Sequence, residues 1–149
     1  MGAPIVEVQM LVRKPVAEVF NAFIDPAVTT NLWFTKSSGK LETGKTITWT
    51  WEMYNVSTEV LVKEIVPSNK IIIEWGSPAT TVEFNFNALS PDTTYVIIKN
   101  YGFNSSGDEL IEKIKDTTGG FTTVVDGLKA WLEHGINLNL IRDKFPNAK

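Results

Sequence analysis

Between Gly119 and Gly135 the apolar residues Phe121, Val124, Val125, Leu128, Trp131 and Leu132 recur at three- and four-residue steps, the spacing of one face of an α-helix. From Lys45 to Tyr101 the recurrence changes to alternation, which is the signature of strands with one face buried. The alternating stretches are Lys45 to Met53, Ser57 to Ile65, Lys70 to Trp75, Thr80 to Ala88 and Thr93 to Tyr101. Only short turns such as Pro67-Ser68-Asn69 and Ser90-Pro91-Asp92 separate them. Strands joined that tightly pair antiparallel, because a parallel pair needs a crossover of about a dozen residues. The pattern predicts one long C-terminal helix laid across an antiparallel meander, an arrangement that encloses a pocket when the sheet curves around the helix.

The remaining segments complete this plan. Ile5 to Arg13 reads as a further strand, rich in β-formers. Pro15 then opens a short helix whose apolar positions Val16, Val19, Phe20 and Phe23 share a face, and Asp25-Pro26 ends it. A second short helix is predicted from Ala27 to Leu32, followed by turns at Ser37-Ser38-Gly39 and at Glu42 to Lys45 with short strands beside them. Helix resumes at Ser106, with Asp108 and Glu109 in its acidic first turn. Each glycine of Gly119-Gly120 costs about 1 kcal/mol inside a helix, so a kink or break is predicted there. The segment before it, with Leu110, Ile111 and Ile114, is then expected to act as a lid hinged at Asn104 to Gly107 and at the glycine pair. The tail from Ile136 to Lys149 carries Leu138, Leu140, Ile141 and Phe145 and is expected to pack on the domain. A chain of 149 residues suits one domain, 1–149, that buries roughly two-thirds of its unfolded surface without metals or disulfides.

Charge and composition exclude several kinds of chemistry. The net charge of −3 offers no broad positive field for a phosphate backbone, so no nucleic acid partner is expected. The chain has no cysteine, which removes disulfides, thiolate metal sites and thiol nucleophiles together. Neither a secretory leader nor an apolar run long enough for a membrane span is visible, and the chain reads as cytoplasmic. His134, the one histidine, has no partner at metal-ligand spacing and sits where a helix end favours a cation. No Gly-x-Ser-x-Gly elbow occurs, and Gly119-Gly120-Phe121 lacks the Lys and Ser/Thr of a phosphate loop. No metal or other cofactor is expected.

Aromatic residues are the candidates for ligand contact. Trp49 and Trp51 share a strand face, as do Phe84 and Phe86, and Tyr95 and Tyr101; Trp75 ends the row Ile71, Ile73. With Trp33 from the helix-to-strand link, and Phe121, Val124, Leu128 and Trp131 from the terminal helix, these twelve side chains either fill an ordinary core or line a cavity of a few hundred Å³ that such large rings leave open. Among strand carboxylates, alternation turns Glu52 and Glu83 to solvent and leaves Glu59 and Glu74 undecided. An inward one would be available for proton transfer.

The run Pro15 to Phe23 with Asp25-Pro26 and Trp33-Phe34 resembles the opening of SRPBCC (START-like) proteins grouped with the activator of heat shock protein 90 ATPase. Glu64 to Pro67 followed by Ile71 to Trp75, and Gly120-Phe121 with Leu128, Trp131 to Glu133 and Gly135, are similar to that group's middle and terminal signatures. The resemblance spans nearly the whole chain. It implies an α+β helix-grip fold, a curved antiparallel sheet around a long C-terminal helix with two short N-terminal helices. Three functions follow as expectations: binding of a hydrophobic or amphipathic small molecule between sheet and helix, a co-chaperone-like activator that touches a chaperone partner, or a proton-transfer enzyme of the cyclase or hydrolase kind.

Overall fold

The alternating stretches fold into one seven-stranded antiparallel sheet in the computed structural model, which describes residues 3–146. In chain order the elements are β1 (Val6–Val12), α1 (Val16–Ile24), α2 (Pro26–Thr29), β2 (Lys36–Ser37), β3 (Thr46–Trp51), β4 (Val56–Val66), β5 (Lys70–Trp75), β6 (Thr80–Ser90), β7 (Thr93–Tyr101), α3 (Gly107–His134) and α4 (Leu140–Lys144). The strand order β1-β7-β6-β5-β4-β3-β2 makes the sheet a meander from β2 to β7, closed at one edge by the N-terminal strand. A register shift between Val62 and Glu64 on β4 marks a bulge, a device that bends and twists a sheet.

Period two decides which side chains meet the core. Val60 and Val62, Ile71 and Ile73, Val82, Phe84 and Phe86, and Val96 and Ile98 all face inward and are fully or almost fully buried. Each such side chain contributes about 1.5 to 3 kcal/mol by leaving water. Buried polar groups on this face have partners: the Asn100 amide donates to Thr81 O at 2.7 Å and to Thr80 Oγ1 at 3.0 Å, and the Thr94 hydroxyl donates to Lys14 O at 2.9 Å. The Lys45 to Met53 strand ends two residues earlier than the alternation predicts. Glu52–Tyr54 winds into a short 3-10 turn, and Asn55, at φ 53, takes the left-handed conformation that Asn tolerates.

Packing of the N-terminal helices follows from their apolar face. Pro15 precedes α1, and Val19, Ala22 and Phe23 bury against the sheet. Asp25 caps α2 by accepting from the Ala27 N–H at 2.9 Å, and the Thr29 hydroxyl donates to Ala22 O at 2.5 Å, which locks α2 onto α1. α2 is shorter than the Ala27 to Leu32 helix the sequence predicts, yet the Trp33 N–H still donates to Thr29 O at 3.0 Å, so the turn past α2 delivers Trp33 to the interior.

α3 departs from expectation at its middle. It runs unbroken through Gly119-Gly120 for 28 residues. Burial of Phe121, Val124, Val125 and Leu128 just beyond the pair outweighs a propensity cost of about 1 kcal/mol per glycine. The expected kink or break at that pair is therefore absent: residues 107–120 continue the same helix as the buried half. Gly135, at φ 64, ends α3 and turns the chain back, so that α4 returns along α3 with Leu140 beside Gly127 and Lys144 beside Gly119. Leu140 and Ile141 are partly buried, while Leu138 and Phe145 remain exposed; residues 147–149 lie outside the described residues.

Candidate functional site

The C-terminal half of α3 is tied to the β1 edge. Lys129 Nζ donates to Leu11 O at 2.8 Å and to Glu133 Oε2 at 2.7 Å, and the Arg13 N–H donates to the same carboxylate oxygen at 2.7 Å. Burial alone would raise the Glu133 carboxyl, but the hydrogen bonds from Lys129 and the Arg13 N–H, together with the charges of Lys129 and His134, outweigh it and hold the group below the usual carboxylate range. Toward its N-terminus α3 leaves the sheet uncovered at β3, β4 and β5. A cavity of about 970 Å³ opens there, at the upper end of the range for small-molecule sites.

Three elements wall this cavity. The sheet side presents Trp51, Tyr54, Val56 and Trp75; α3 presents Thr117, Gly119, Gly120, Phe121 and Val124; the returning tail presents Ile141, Lys144 and Phe145. Trp33 stands at the junction, its ring centroid 5.8 Å from Phe121, 5.9 Å from Trp75 and 6.3 Å from Trp51. Trp75 and Phe121 stack at 5.7 Å and 28°. Gly120 is half-buried, yet a Cβ placed on it would meet nothing within 4 Å, because that direction is the cavity itself. The tail is held by Tyr54, whose hydroxyl donates to the Ile141 carbonyl and stands 3.2 Å from that of Arg142.

Of the residues singled out from sequence, Trp33, Trp51, Trp75, Phe121 and Val124 come together on these walls. Trp49, Phe84, Phe86 and Leu128 do not. They are at most 2% exposed and spend their surface on protein: Trp49 stacks on Phe34 at 4.5 Å, and Phe84 and Phe86 pack on Phe23 at 5.1 and 5.8 Å. Trp131 packs at the edge of the core, outside the cavity wall. Tyr95 and Tyr101 lie on the outer face, because Thr94, Val96, Ile98 and Asn100 between them take the inner one. Burial, with the Glu83 charge and hydrogen bond adding to it, raises the Tyr101 hydroxyl from its ordinary value.

Carboxylate positions narrow the chemistry. Glu74 pairs across the sheet with Leu61 and Thr81, and Glu59 with Thr48, all on the outer face, so neither points inward. Glu83 is likewise outward and Glu52 is exposed in the 3-10 turn. The carboxylate that does reach the cavity wall is Asp116, on α3, where the sequence pattern gave no reason to look. Tyr54, Val56, Lys115, Thr117 and the tail residues were also missed; the apolar residues of the tail were the available signal. Among the described residues no group of three or more His, Asp or Glu side chains is arranged to hold a metal, and no helix is long and apolar enough to cross a membrane.

A curved antiparallel sheet closed over a long C-terminal helix, with two short helices between the first strands and an aromatic cavity under the helix, defines a helix-grip protein. The chain belongs to the family described as activator of Hsp90 ATPase homolog 1-like protein, whose sequence model matches residues 13–133. No curated protein matches it. Among solved structures it is similar to the protein SSP2350 from Staphylococcus saprophyticus, at 26% identity over 91% of this chain and 96% of that one, with a TM-score of 0.80. It is also similar to DynU16, a protein of the dynemicin biosynthetic locus (19% identity, 89% of this chain, 48% of that one, TM-score 0.79). A third is PFC0360w, an HSP90 activator from Plasmodium falciparum (18% identity, 89% and 97%, TM-score 0.68).

Proposed function

We propose that this chain is a binding protein for a hydrophobic or amphipathic small molecule, held in the cavity between β3 to β5, the middle of α3 and the returning tail. The observation that carries the reading is the 970 Å³ space walled by Trp33, Trp51, Trp75 and Phe121. Aromatic faces of that number suit a ligand's apolar body, and a few polar groups at the rim suit its orientation. The strand carboxylates Glu59, Glu74 and Glu83 face outward, so a proton-transfer reading would rest on Asp116 and Tyr54 of the cavity wall.

Titration with N-phenyl-1-naphthylamine, an uncharged fluorophore, tests it. Saturable enhancement is expected with the native chain, and Gly120→Phe, which drives a ring into the empty direction above that glycine, is expected to abolish it while circular dichroism shows a folded protein. Absence of saturable binding to the native chain would remove the reading. A second reading, an activator that touches an Hsp90-type chaperone, is supported by the family and by the likeness to the Plasmodium falciparum activator. Its measure is the ATPase rate of purified Hsp90 with the chain added, which rises under that reading and is unchanged otherwise.

A further inference from the structure

Lys144, the last residue of α4, lies on the cavity wall and reaches back to α3. Its Nζ stands 3.5 Å from where a Cβ on Gly119 would be, so the ammonium rests against the glycine surface of α3. The Phe145 ring centroid is 5.9 Å away. The nearby lysines of α3 have carboxylates at hand, Lys115 with Glu112 at 3.7 Å and Lys113 with Glu109 at 3.9 Å. Among the described residues no carboxylate comes within 4.0 Å of Lys144 Nζ, even though Asp116 lines the same cavity. An apolar chamber whose rim carries an ammonium with no counterion among the described residues is complementary to a molecule with an apolar body and one negative group.

Resting on the binding reading above, we propose that the ligand is an anionic amphiphile, a ring-bearing apolar body with one carboxylate, sulfate or sulfonate, and that Lys144 receives the anionic group. The stacked pair Trp75 and Phe121, with Trp33 edge-on to both, offers ring faces to a flat body at the depth of the cavity. A cationic ligand would instead set its charge beside the ammonium groups of Lys115 and Lys144. Asp116 opposes an anion, so its removal should favour one.

Two fluorophores that differ by one sulfonate make the test: 1-anilinonaphthalene-8-sulfonate and uncharged N-phenyl-1-naphthylamine, each titrated into the full chain at low ionic strength. The sulfonate is expected to bind about three- to fivefold more tightly, the scale of one partly solvated ion pair, and salt should erase the difference. Lys144→Gln should remove the preference and Lys144→Glu reverse it, with an unchanged circular dichroism spectrum as the control for folding. Asp116→Asn should widen the preference for the sulfonate over the uncharged probe. Equal affinities for the two probes, or a preference untouched by Lys144→Gln, would overturn the assignment while saturable binding of the uncharged probe leaves the cavity reading in place. Failure of both probes would remove the two together.

Discussion

Glu133 sits in the last turn of α3, where the helix dipole disfavours negative charge, and it is tolerated because three donors and cations converge on it. Its side chain is only 10% exposed, so Glu133→Gln, which keeps an acceptor but loses the charge, should cost about 1 to 3 kcal/mol at neutral pH in urea unfolding. Because the folded state lowers this pKa, the stabilisation is complete above the usual carboxylate range and is lost as pH falls through the lower folded value. The difference between native and variant should therefore shrink in acid; a constant difference would show that the charge contributes nothing. Trp33, 6% exposed, touches Phe23, Phe34, Trp49, Trp51, Trp75, Phe84 and Phe121. Trp33→Ala should cost about 3 to 5 kcal/mol by the same measurement. At this scale the sequence was ambiguous for a definite reason. Tyr95 and Ile97 alternate with Val96 and Ile98, both sets are apolar, and period two separates the faces of β7 without saying which one meets the helix.

Elements were more legible than faces. β5 and β7 begin and end where the turn residues around Pro67 to Asn69, Gly76 to Pro78 and Ser90 to Asp92 say they should, since Pro, Gly, Asn and Asp impose local geometry. The continuous α3 was not legible, because propensity is a local quantity and the burial that overrides it comes from distant strands. The same glycines yield a prediction. Gly120 has helical backbone and open space at its Cβ, so Gly120→Ala should stabilise the fold by up to about 1 kcal/mol in thermal or chemical unfolding. A loss would mean that the backbone there is not helical in solution. The tail depends on fewer contacts. Tyr54→Phe removes the bonds to the Ile141 and Arg142 carbonyls, and it should raise hydrogen exchange within residues 140–144 and leave β5 to β7 unaffected. Equal exchange in native and variant chains would show that the tail is held elsewhere.

For the molecule as a whole, a cavity of this size on a helix-grip frame means that stability and ligand binding are linked. A ligand bound only by the folded chain should add about 2.7 kcal/mol at roughly one hundred times its dissociation constant. At about 2 to 4 °C per kcal/mol for a domain of this length, that is a rise of several degrees in Tm, absent in Gly120→Phe. The clustering of indoles has a consequence of its own. Trp33 lies 4.9 Å from Trp49 and 5.9 Å from Trp75, and Trp49 lies 6.2 Å from Trp75, with Trp51 at 6.3 Å from Trp33. At such separations the electronic transitions couple, so excitation absorbed by any one ring migrates among all of them before it is emitted. The circular dichroism should carry a split, exciton-type indole band that weakens with Trp33→Phe and keeps the part due to Trp49 and Trp75, and a single light-absorbing molecule resting on Trp75 would darken the entire group at once.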